Sequence, residues 1–459
     1  LMSMVLIKSI SGIRGTLGDD ENSLNPNNLS RFVHAFSLFK RKKNRNKKIT
    51  IAVGRDGRES GQTFIKIVNK TLSICGIHVV NIDLTTTPTA QLVIIKKKLS
   101  GGIMLTASHN PKNWNALKFF NDKGEFLSEH DVKEILDIES NNLTPQINNI
   151  DLGKINDLKD SFRLHIDEIL NLKHVNPQKI RDKKFKIVVD GINSSGGIII
   201  PMLLEILNAE VIKINCVPDG NFAHDPEPLD KNLSELKKEV LAHNADLGIA
   251  VDPDVDRLVF VSEKGETLGE ENTLISCADY ILSKESGPAV TNLSSSMGLR
   301  DVCTKYNVEC FSSKVGEINV VEKMKAVNAI IGGEGNGGII YPESHYGRDA
   351  LVGVGLLLTS LALKDKSISK VFEELPKYHM LKEKINIDAN LNFNEIKIKL
   401  KSAFQNYSFN ETDGLKIENK SSWIHVRKSN TEPIIRIYIE SKQAEISKSM
   451  FNSVKKALS

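Results

Sequence analysis

The sequence predicts an α/β protein with three similar α/β domains built on mixed sheets, plus a smaller C-terminal α+β domain, all around a central cleft. At 459 residues the chain is longer than one hydrophobic core usually organises, so several domains are expected. Short β-branched runs alternate with helical patterns through most of the chain, which is typical of parallel α/β layers. From about Lys370 onward this alternation stops, and amphipathic stretches lead into a final pair of strand-like runs. These observations separate a long α/β part from a different C-terminal part.

The strand-like runs fall into three sets of three. Each set ends in a run that leads directly into a polar loop, with the sequences TASHNP, DPDVDR and GGEGNGG in that order. Ligands of open α/β sheets collect at the carboxyl ends of the strands, so the three loops are expected to converge on one cleft. The predicted strands are 49–53, 78–82 and 102–106, then 185–189, 211–214 and 247–251, then 288–292, 308–312 and 329–332. The predicted domains are 1–150, 151–256, 257–369 and 370–459.

The overall composition excludes several classes of protein. Lys and Arg number 61 against 57 Asp and Glu, and a net charge of +4 over this length predicts neither nucleic-acid nor membrane binding. The five cysteines form no C-x-x-C pair, which argues against a disulfide scaffold or a zinc site and favours a reducing, cytoplasmic location. The apolar run 350–363 is too short for a membrane span and is interpreted as a buried helix.

The TASHNP loop places Ser108 directly after an apolar strand. A serine hydroxyl at such a sheet edge can accept or donate a phosphoryl group. His109 lies next to it and Lys118 follows on an amphipathic stretch, and both side chains can move protons. The structural alternative is an ordinary serine turn or helix cap.

The DPDVDR loop carries Asp252, Asp254 and Asp256 at alternating positions after a strand that reads as buried. Alternating carboxylates on an extended loop can point their oxygens at one hard cation, and three such charges together are unfavourable without one. The spacing does not fit an EF-hand. The remaining alternative, an acidic turn without a metal, suits the buried position less well.

Two further loops carry groups that suit a phosphorylated sugar. Glu334 and Asn336 lie among the glycines of GGEGNGG, where an acid and an amide could bind hydroxyls, although glycine loops are often only turns. The segment 427–433 combines cations, hydroxyls and an amide before a strand, which suits a phosphate, with an exposed basic turn as the alternative. Near the start, Arg14 lies in the short glycine-containing segment SGIRG.

Together these loops resemble the α-D-phosphohexomutase superfamily, in the family's order and over essentially the whole chain. The resemblance implies that Ser108 carries the phosphoryl group, that His109 and Lys118 transfer protons, and that Arg14 and Arg257 lie near the reaction centre. It implies that Ser108 and the three aspartates of the second loop hold Mg²⁺. It also implies sugar binding by Glu334 and Asn336 and a distal phosphate site formed by Arg427, Ser429, Asn430 and Thr431.

The activity implied by this resemblance is the exchange of hexose 6-phosphate and hexose 1-phosphate through a hexose 1,6-bisphosphate. We expect a phosphosugar substrate and a monomer or homodimer. The sugar loop and the run HDPEPL at 224–229 resemble phosphoglucosamine mutases, whereas KSNTEP resembles dual-specificity phosphomannomutase/phosphoglucomutases. Glucosamine phosphate is the favoured substrate. A Ser- and metal-dependent sugar phosphatase and a non-catalytic sugar-phosphate sensor are the alternatives from other classes.

Overall fold

The computed structural model describes residues 5–9, 12–44, 48–141, 151–386, 392–428 and 434–458. They form two compact units, and each unit takes its chain from two separate stretches. The first unit contains the residues up to Thr273 together with Gly337–Glu373. The second contains Leu274–Asn336 and the residues from Glu374 onward. No helix of the described part is long and apolar enough to cross a membrane.

The first sheet has seven strands in the order β1-β2-β6-β5-β3-β4-β7. Strands β5, β3, β4 and β7 are parallel, whereas β1, β2 and β6 form an antiparallel edge that pairs through β6 with β5. The elements are β1 (Leu6–Ser9), β2 (Gly12–Thr16), α1 (Pro26–Lys43), β3 (Thr50–Arg55), α2 (Glu59–Ile74), β4 (His78–Leu84), α3 (Thr87–Lys96), β5 (Gly101–Leu105), β6 (Trp114–Phe120), α4 (Glu129–Ser140) and β7 (Ile155–Asp157).

Capping residues fix where the helices of this sheet begin. The Asn25 side chain accepts a hydrogen bond from the backbone of Asn28, and Pro26 occupies the first turn of α1. The Thr86 hydroxyl accepts a hydrogen bond from the backbone N–H of Thr89 at the start of α3. Both caps satisfy backbone N–H groups that have no partner inside the helix. The start of α3 is therefore fixed at the carboxyl end of β4, on the side of the sheet where the polar loops lie.

The second sheet has four strands in the order β11-β10-β8-β9, with β10, β8 and β9 parallel and β11 antiparallel to β10. Gly196 and Gly197 begin its helix α7, where a side chain on Gly197 would meet the Cys216 backbone at 2.5 Å. The elements are α5 (Ser161–Leu170), α6 (Pro177–Lys183), β8 (Lys186–Asp190), α7 (Gly196–Ile206), β9 (Glu210–Ile214), α8 (Ser234–Ala242), β10 (Leu247–Val251) and β11 (Leu258–Ser262).

The next stretch of the chain contains three strands of the second unit, in the order β13-β12-β14. Strand β12 is parallel to both of its neighbours. The elements are α9 (Glu270–Leu282), β12 (Ala289–Asn292), α10 (Gly298–Lys305), β13 (Cys310–Ser313), α11 (Glu317–Val327) and β14 (Ile331–Glu334).

The chain then returns to the first unit with β15 (Gly338–Ile340), α12 (Ala350–Lys364) and α13 (Ile368–Glu373). Helix α12 contains the apolar run predicted to be a buried helix, and it is buried along nearly its whole length. The Asp349 carboxylate caps this helix by accepting from the backbone of Leu351 and Val352. The prediction of a buried helix is confirmed.

The C-terminal part of the second unit is a five-stranded antiparallel sheet in the order β16-β20-β19-β18-β17. Its elements are β16 (His379–Asn386), α14 (Phe393–Ala403), β17 (Ser408–Asn410), β18 (Leu415–Glu418), β19 (Ser422–Lys428), β20 (Ile434–Ser441) and α15 (Ala444–Leu458). The predicted fold class of three α/β domains with mixed sheets and a smaller C-terminal α+β domain is confirmed. The four domain bounds stay a prediction. Strand β7 follows the first predicted bound but pairs into the first sheet, and β11 follows the second bound but pairs into the second sheet.

Candidate active site

The TASHNP loop begins directly after β5 and holds Ser108 in an unusual backbone conformation. Ser108 is 3% exposed and has a φ of 47°, a left-handed value that a residue with a side chain keeps only when its surroundings hold it. Its backbone N–H donates to Thr106 Oγ1 at 2.9 Å, and its hydroxyl donates to Asp252 Oδ2 at 2.6 Å. The candidate nucleophile thus contacts the first carboxylate of the DPDVDR loop.

Arg58, which was not predicted, holds the carbonyl side of the same loop. The guanidinium is fully buried, and Nη2 donates to the carbonyl oxygens of Ser108 and Asn110 at 2.6 and 2.7 Å. Asp56 lies 3.3 Å from Arg58 Nε and accepts from the Thr106 hydroxyl at 2.7 Å. Their position after β3, the first strand of the first set, is the signal that could have found them.

Replacing Arg58 with lysine is expected to lower kcat by roughly 10- to 100-fold, because the planar guanidinium that fixes two carbonyl oxygens is lost and the nucleophile is misplaced. KM should change much less. Steady-state kinetics and thermal unfolding of the purified variant provide the measurement. The control is Arg163→Lys, whose exposed side chain pairs with Asp167 one helical turn away. An unchanged kcat in the Arg58 variant would contradict the positioning role.

The three aspartates of the DPDVDR loop form a compact, fully buried cluster. Asp252, Asp254 and Asp256 are each 0% exposed, and one oxygen from each lies within 4.8 Å of the others. Asp254 Oδ1 and Asp256 Oδ1 make no hydrogen bond within the described residues. Buried carboxylate oxygens without partners are unfavourable, whereas hard divalent cations bind such oxygens. The residues present therefore fit a metal ion.

The electrostatics of the cluster are set by burial and by Lys118. Burial, together with the neighbouring Asp256 and Asp254, raises the pKa of Asp252 well above its ordinary value. Burial also acts to raise the pKa of Asp254, but Lys118 Nζ at 2.7 Å and the Thr87 hydroxyl at 2.6 Å together hold that pKa well below its usual range. Lys118 reaches this position from β6, where it pairs opposite Met104 of β5.

Arg14 lies beside the Ser108 loop, and His109 is part of it. Arg14 reaches it from β2, and its Nη1 donates to Asn110 Oδ1 at 2.5 Å. Desolvation lowers the pKa of His109 well below its ordinary value, and the nearby cations Arg257 and Arg14 add to this effect. The imidazole is therefore neutral near pH 7, and its Nδ1 makes no hydrogen bond in the described structure.

Arg257 is held from two sides. Its backbone N–H donates to Asp252 Oδ1 at 3.0 Å, and its Nη1 donates to Glu227 Oε1 at 3.1 Å. Glu227 belongs to the HDPEPL run, whose sequence resembles phosphoglucosamine mutases but predicted no role for this residue. The carboxylate of Glu227 thus positions a predicted catalytic arginine.

Arg348 is a further residue of the site that was not predicted from the sequence. Its Nη2 donates to Asp256 Oδ2 at 2.5 Å. The next residue, Asp349, receives His165 Nε2 at 2.8 Å and His345 Nε2 at 3.0 Å on one carboxylate oxygen, and all three side chains are buried. This network anchors the segment before α12 and fixes Arg348 against the aspartate cluster.

The remaining predicted residues belong to the second unit. Glu334 is the last residue of β14, is 4% exposed and accepts from Asn292 Nδ2 at 2.8 Å. Asn336 follows two positions later and is half-buried. Arg427 lies on β19 with its Nε 3.0 Å from Asp413 Oδ1. Three members of the predicted phosphate site lie outside the described residues: Ser429, Asn430 and Thr431.

Four family models match the chain in order: phosphoglucomutase/phosphomannomutase α/β/α domain I at 7–145, domain II at 163–265, domain III at 270–378 and the C-terminal domain at 383–457. The chain is 32% identical to a phosphoglucosamine/phosphogalactosamine mutase of Sulfurisphaera tokodaii, with 97% of each chain covered. It is 31% identical to a phosphoglucomutase/phosphomannomutase of Thermococcus kodakarensis, with 95% of this chain and 94% of the relative covered. A crystal structure of a phosphoglucomutase/phosphomannomutase family protein from Burkholderia thailandensis has the same fold, with a TM-score of 0.85, 22% identity and coverage of 98% and 96%.

The fold and these relatives show that the chain is a phosphohexomutase, a phosphotransferase of the isomerase class. Within this class, the chain belongs to the phosphoglucomutase/phosphomannomutase family.

Proposed function

We propose that this enzyme interconverts hexose 6-phosphate and hexose 1-phosphate through phosphorylated Ser108 and a hexose 1,6-bisphosphate, with glucosamine phosphate as the favoured substrate. The observation that carries the proposal is the 2.6 Å contact between the Ser108 hydroxyl and the buried aspartate cluster. A serine held there can carry a phosphoryl group whose charge the site is built to balance.

In the proposed first step, the bond between phosphorus and Ser108 Oγ breaks as a bond to the free sugar hydroxyl forms. The hydroxyl proton must leave, and the neutral His109 with its unpartnered Nδ1 can accept it. Ser108 Oγ leaves with the electron pair of the broken bond. Lys118 forms an ion pair with Asp254 and so stabilises the ionised form of that carboxylate. In the second step this Ser108 oxygen attacks the other phosphate of the bisphosphate, the sugar oxygen leaves, and His109 returns its proton to that sugar oxygen as the isomer is released.

The proposed metal is Mg²⁺, held by Asp252, Asp254, Asp256 and the phosphorylated Ser108. Bound there, the ion would supply positive charge beside the phosphoryl oxygens. Arg14 donates to the Ser108 loop through Asn110 and adds a second positive group on the protein side. Arg257 is oriented by Glu227, so its guanidinium is available to the transferring phosphate without reorganisation.

We assign sugar hydroxyls, and the amino group of glucosamine, to Glu334 and Asn336. The distal phosphate is assigned to Arg427 with Ser429, Asn430 and Thr431. The name of the Sulfurisphaera tokodaii relative supports amino-sugar phosphates, and that of the Thermococcus kodakarensis relative supports glucose and mannose phosphates. A phosphomannomutase/phosphoglucomutase is therefore the alternative function. A buried carboxylate binds a cation more strongly than it binds a neutral hydroxyl, which favours the protonated amine of glucosamine.

The test is a comparison of glucosamine, glucose and mannose 6-phosphates with purified enzyme, Mg²⁺ and the matching bisphosphate. The 1-phosphate isomer and inorganic phosphate are measured in the same samples. We expect kcat/KM for glucosamine 6-phosphate to exceed the other two by about tenfold or more, with little phosphate released. Faster isomerisation of glucose or mannose phosphate would favour the alternative mutase, and phosphate as the main product would favour a phosphatase.

A further inference from the structure

Two neighbouring backbone N–H groups link the carboxylates of Glu334 and Asp413 in the second unit. Gly316 N–H donates to Glu334 Oε1 at 3.0 Å, and Val315 N–H donates to Asp413 Oδ2 at 2.9 Å. Both groups lie just before the first turn of α11, where backbone N–H groups have no partner inside the helix and favour negative charge. The two carboxylates are therefore held one peptide apart on the same short segment.

A second path of hydrogen bonds joins the same two residues. Asn292 Nδ2 donates to Glu334 Oε1, and Asn292 Oδ1 accepts from the Ser294 backbone at 2.9 Å. The Ser294 hydroxyl lies 2.7 Å from His425 Nδ1, and His425 Nε2 lies 2.6 Å from the Asp413 carbonyl oxygen. A carbonyl can only accept, so Nε2 carries the proton and Nδ1 accepts from Ser294. Burial lowers the pKa of His425 to about 4, which keeps this tautomer neutral at physiological pH.

Arg427 is attached to this ring of contacts through Asp413. Its Nε lies 3.0 Å from Asp413 Oδ1, the carboxylate oxygen that does not bind Val315. The close approach depends on Gly414, which has a φ of +75° and whose added Cβ would meet Val426 O at 2.3 Å. The turn at 413–414 can therefore press against β19 and present the carboxylate to the guanidinium.

We propose that this closed ring, which we call the Asp413 ring, couples the sugar-binding carboxylate of Glu334 to the phosphate-binding guanidinium of Arg427, with Asp413 as a positioning residue. Its members are Asn292, Ser294, Val315, Gly316, Glu334, Asp413 and His425. The inference rests on the roles given to Glu334 and Arg427 in the proposed function. Coupling follows because a shift of either carboxylate disturbs the same peptide segment before α11, and the ion pair at Arg427 Nε leaves the other guanidinium nitrogens available for a phosphate.

The test is a double-mutant cycle of Glu334→Gln and Arg427→Lys, measured as kcat/KM for the preferred hexose phosphate in the native and Asp413→Asn backgrounds. Asparagine keeps an oxygen for Val315 N–H but removes the charge opposite Arg427. We expect Asp413→Asn alone to raise KM about tenfold while kcat changes less than about threefold. In the native background, the effect of the double change on kcat/KM should differ from the product of the two single effects by about fivefold or more. In the Asp413→Asn background this difference should be less than about twofold.

The matched control is Glu411→Gln in the same loop, since Glu411 is exposed and its ion pairs among the described residues are with lysines of α14. It should leave both KM and the interaction unchanged. If Asp413→Asn does not fold, Ser294→Ala opens the other side of the ring and should reduce the interaction at least twofold. An interaction that survives both changes, or effects that already multiply in the native enzyme, would overturn the coupling alone. If neither Glu334→Gln nor Arg427→Lys alters kcat/KM, the roles in the proposed function fail, and the coupling fails with them.

Discussion

Replacing Ser108 with alanine is expected to lower kcat by roughly 10⁴-fold or more, the scale on which enzymes lose activity when a covalent nucleophile is removed. Alanine keeps the small volume of the side chain but removes the hydroxyl that contacts Asp252. The measurement is isomer formation together with transfer of radiolabelled phosphate from hexose 1,6-bisphosphate to the protein. The native enzyme should become labelled, and the variant should not.

The control for this prediction is Ser195→Ala. Ser195 is as buried as Ser108, but its hydroxyl makes no hydrogen bond in the described structure, so its removal should change kcat by less than about twofold. Thermal unfolding of both variants shows whether they fold alike. Substantial isomerase activity in a folded, unlabelled Ser108 variant would refute the covalent route.

Removing divalent metal is expected to abolish isomerisation, and added Mg²⁺ should restore it. The physical reason is the cluster of three buried carboxylates, two of which have an oxygen without a partner in the described part of the chain. A ligand that binds only the folded state at 100 times its Kd stabilises that state by about 2.7 kcal/mol, so Mg²⁺ should raise Tm by roughly 2 °C or more. Calorimetry and activity on chelator-treated protein provide the two measurements.

The variant that localises this effect is Asp256→Asn. It keeps the shape of the side chain and an oxygen for Arg348, but it removes one charge, so we expect the Mg²⁺-dependent rise in Tm to disappear and activity to fall by roughly 10²-fold or more. The control is Asp131→Asn, from the half-buried carboxylate pair Asp131 and Glu134 on α4, which with His130 could also hold a metal ion. If the Mg²⁺-dependent rise in Tm persists in Asp256→Asn but is lost in Asp131→Asn, the metal binds on α4 and not at the proposed site.

Nine parallel strands could be predicted from short apolar or β-branched runs, whereas the parallel strand β7, which is exposed along its three residues, was not. All nine predicted runs overlap an observed strand. The antiparallel strands β2 and β6 were not predicted, because GIRGT is interrupted by glycines and NALKFF was interpreted only as an amphipathic stretch; both strands owe their conformation to pairing with each other. This pairing matters for the site, since it brings Arg14 and Lys118 to the same edge of the first sheet as Ser108.

The candidate site could be predicted only where one loop carries several reactive groups. TASHNP and DPDVDR are contiguous, so their chemistry is visible in the sequence. Arg58 and Arg348 are single arginines, 50 and 92 residues from the groups they bind, and no local pattern distinguishes them from surface arginines. Their roles depend on burial and on tertiary contacts, which a single sequence does not display.

The division of the chain between the two units has a consequence for biosynthesis. The first unit has all of its chain once residue 373 has left the ribosome, whereas the second needs strands from both 289–334 and 379–441. Strands β12, β13 and β14 of residues 274–336 can pair with one another as they emerge, but their contacts with the C-terminal sheet, such as that of Met297 N–H with Glu440, form only after that sheet is translated. Because transiently exposed apolar surface in nascent chains is prone to aggregation, the surface of this stretch that later contacts the C-terminal sheet is where chaperones should engage during synthesis.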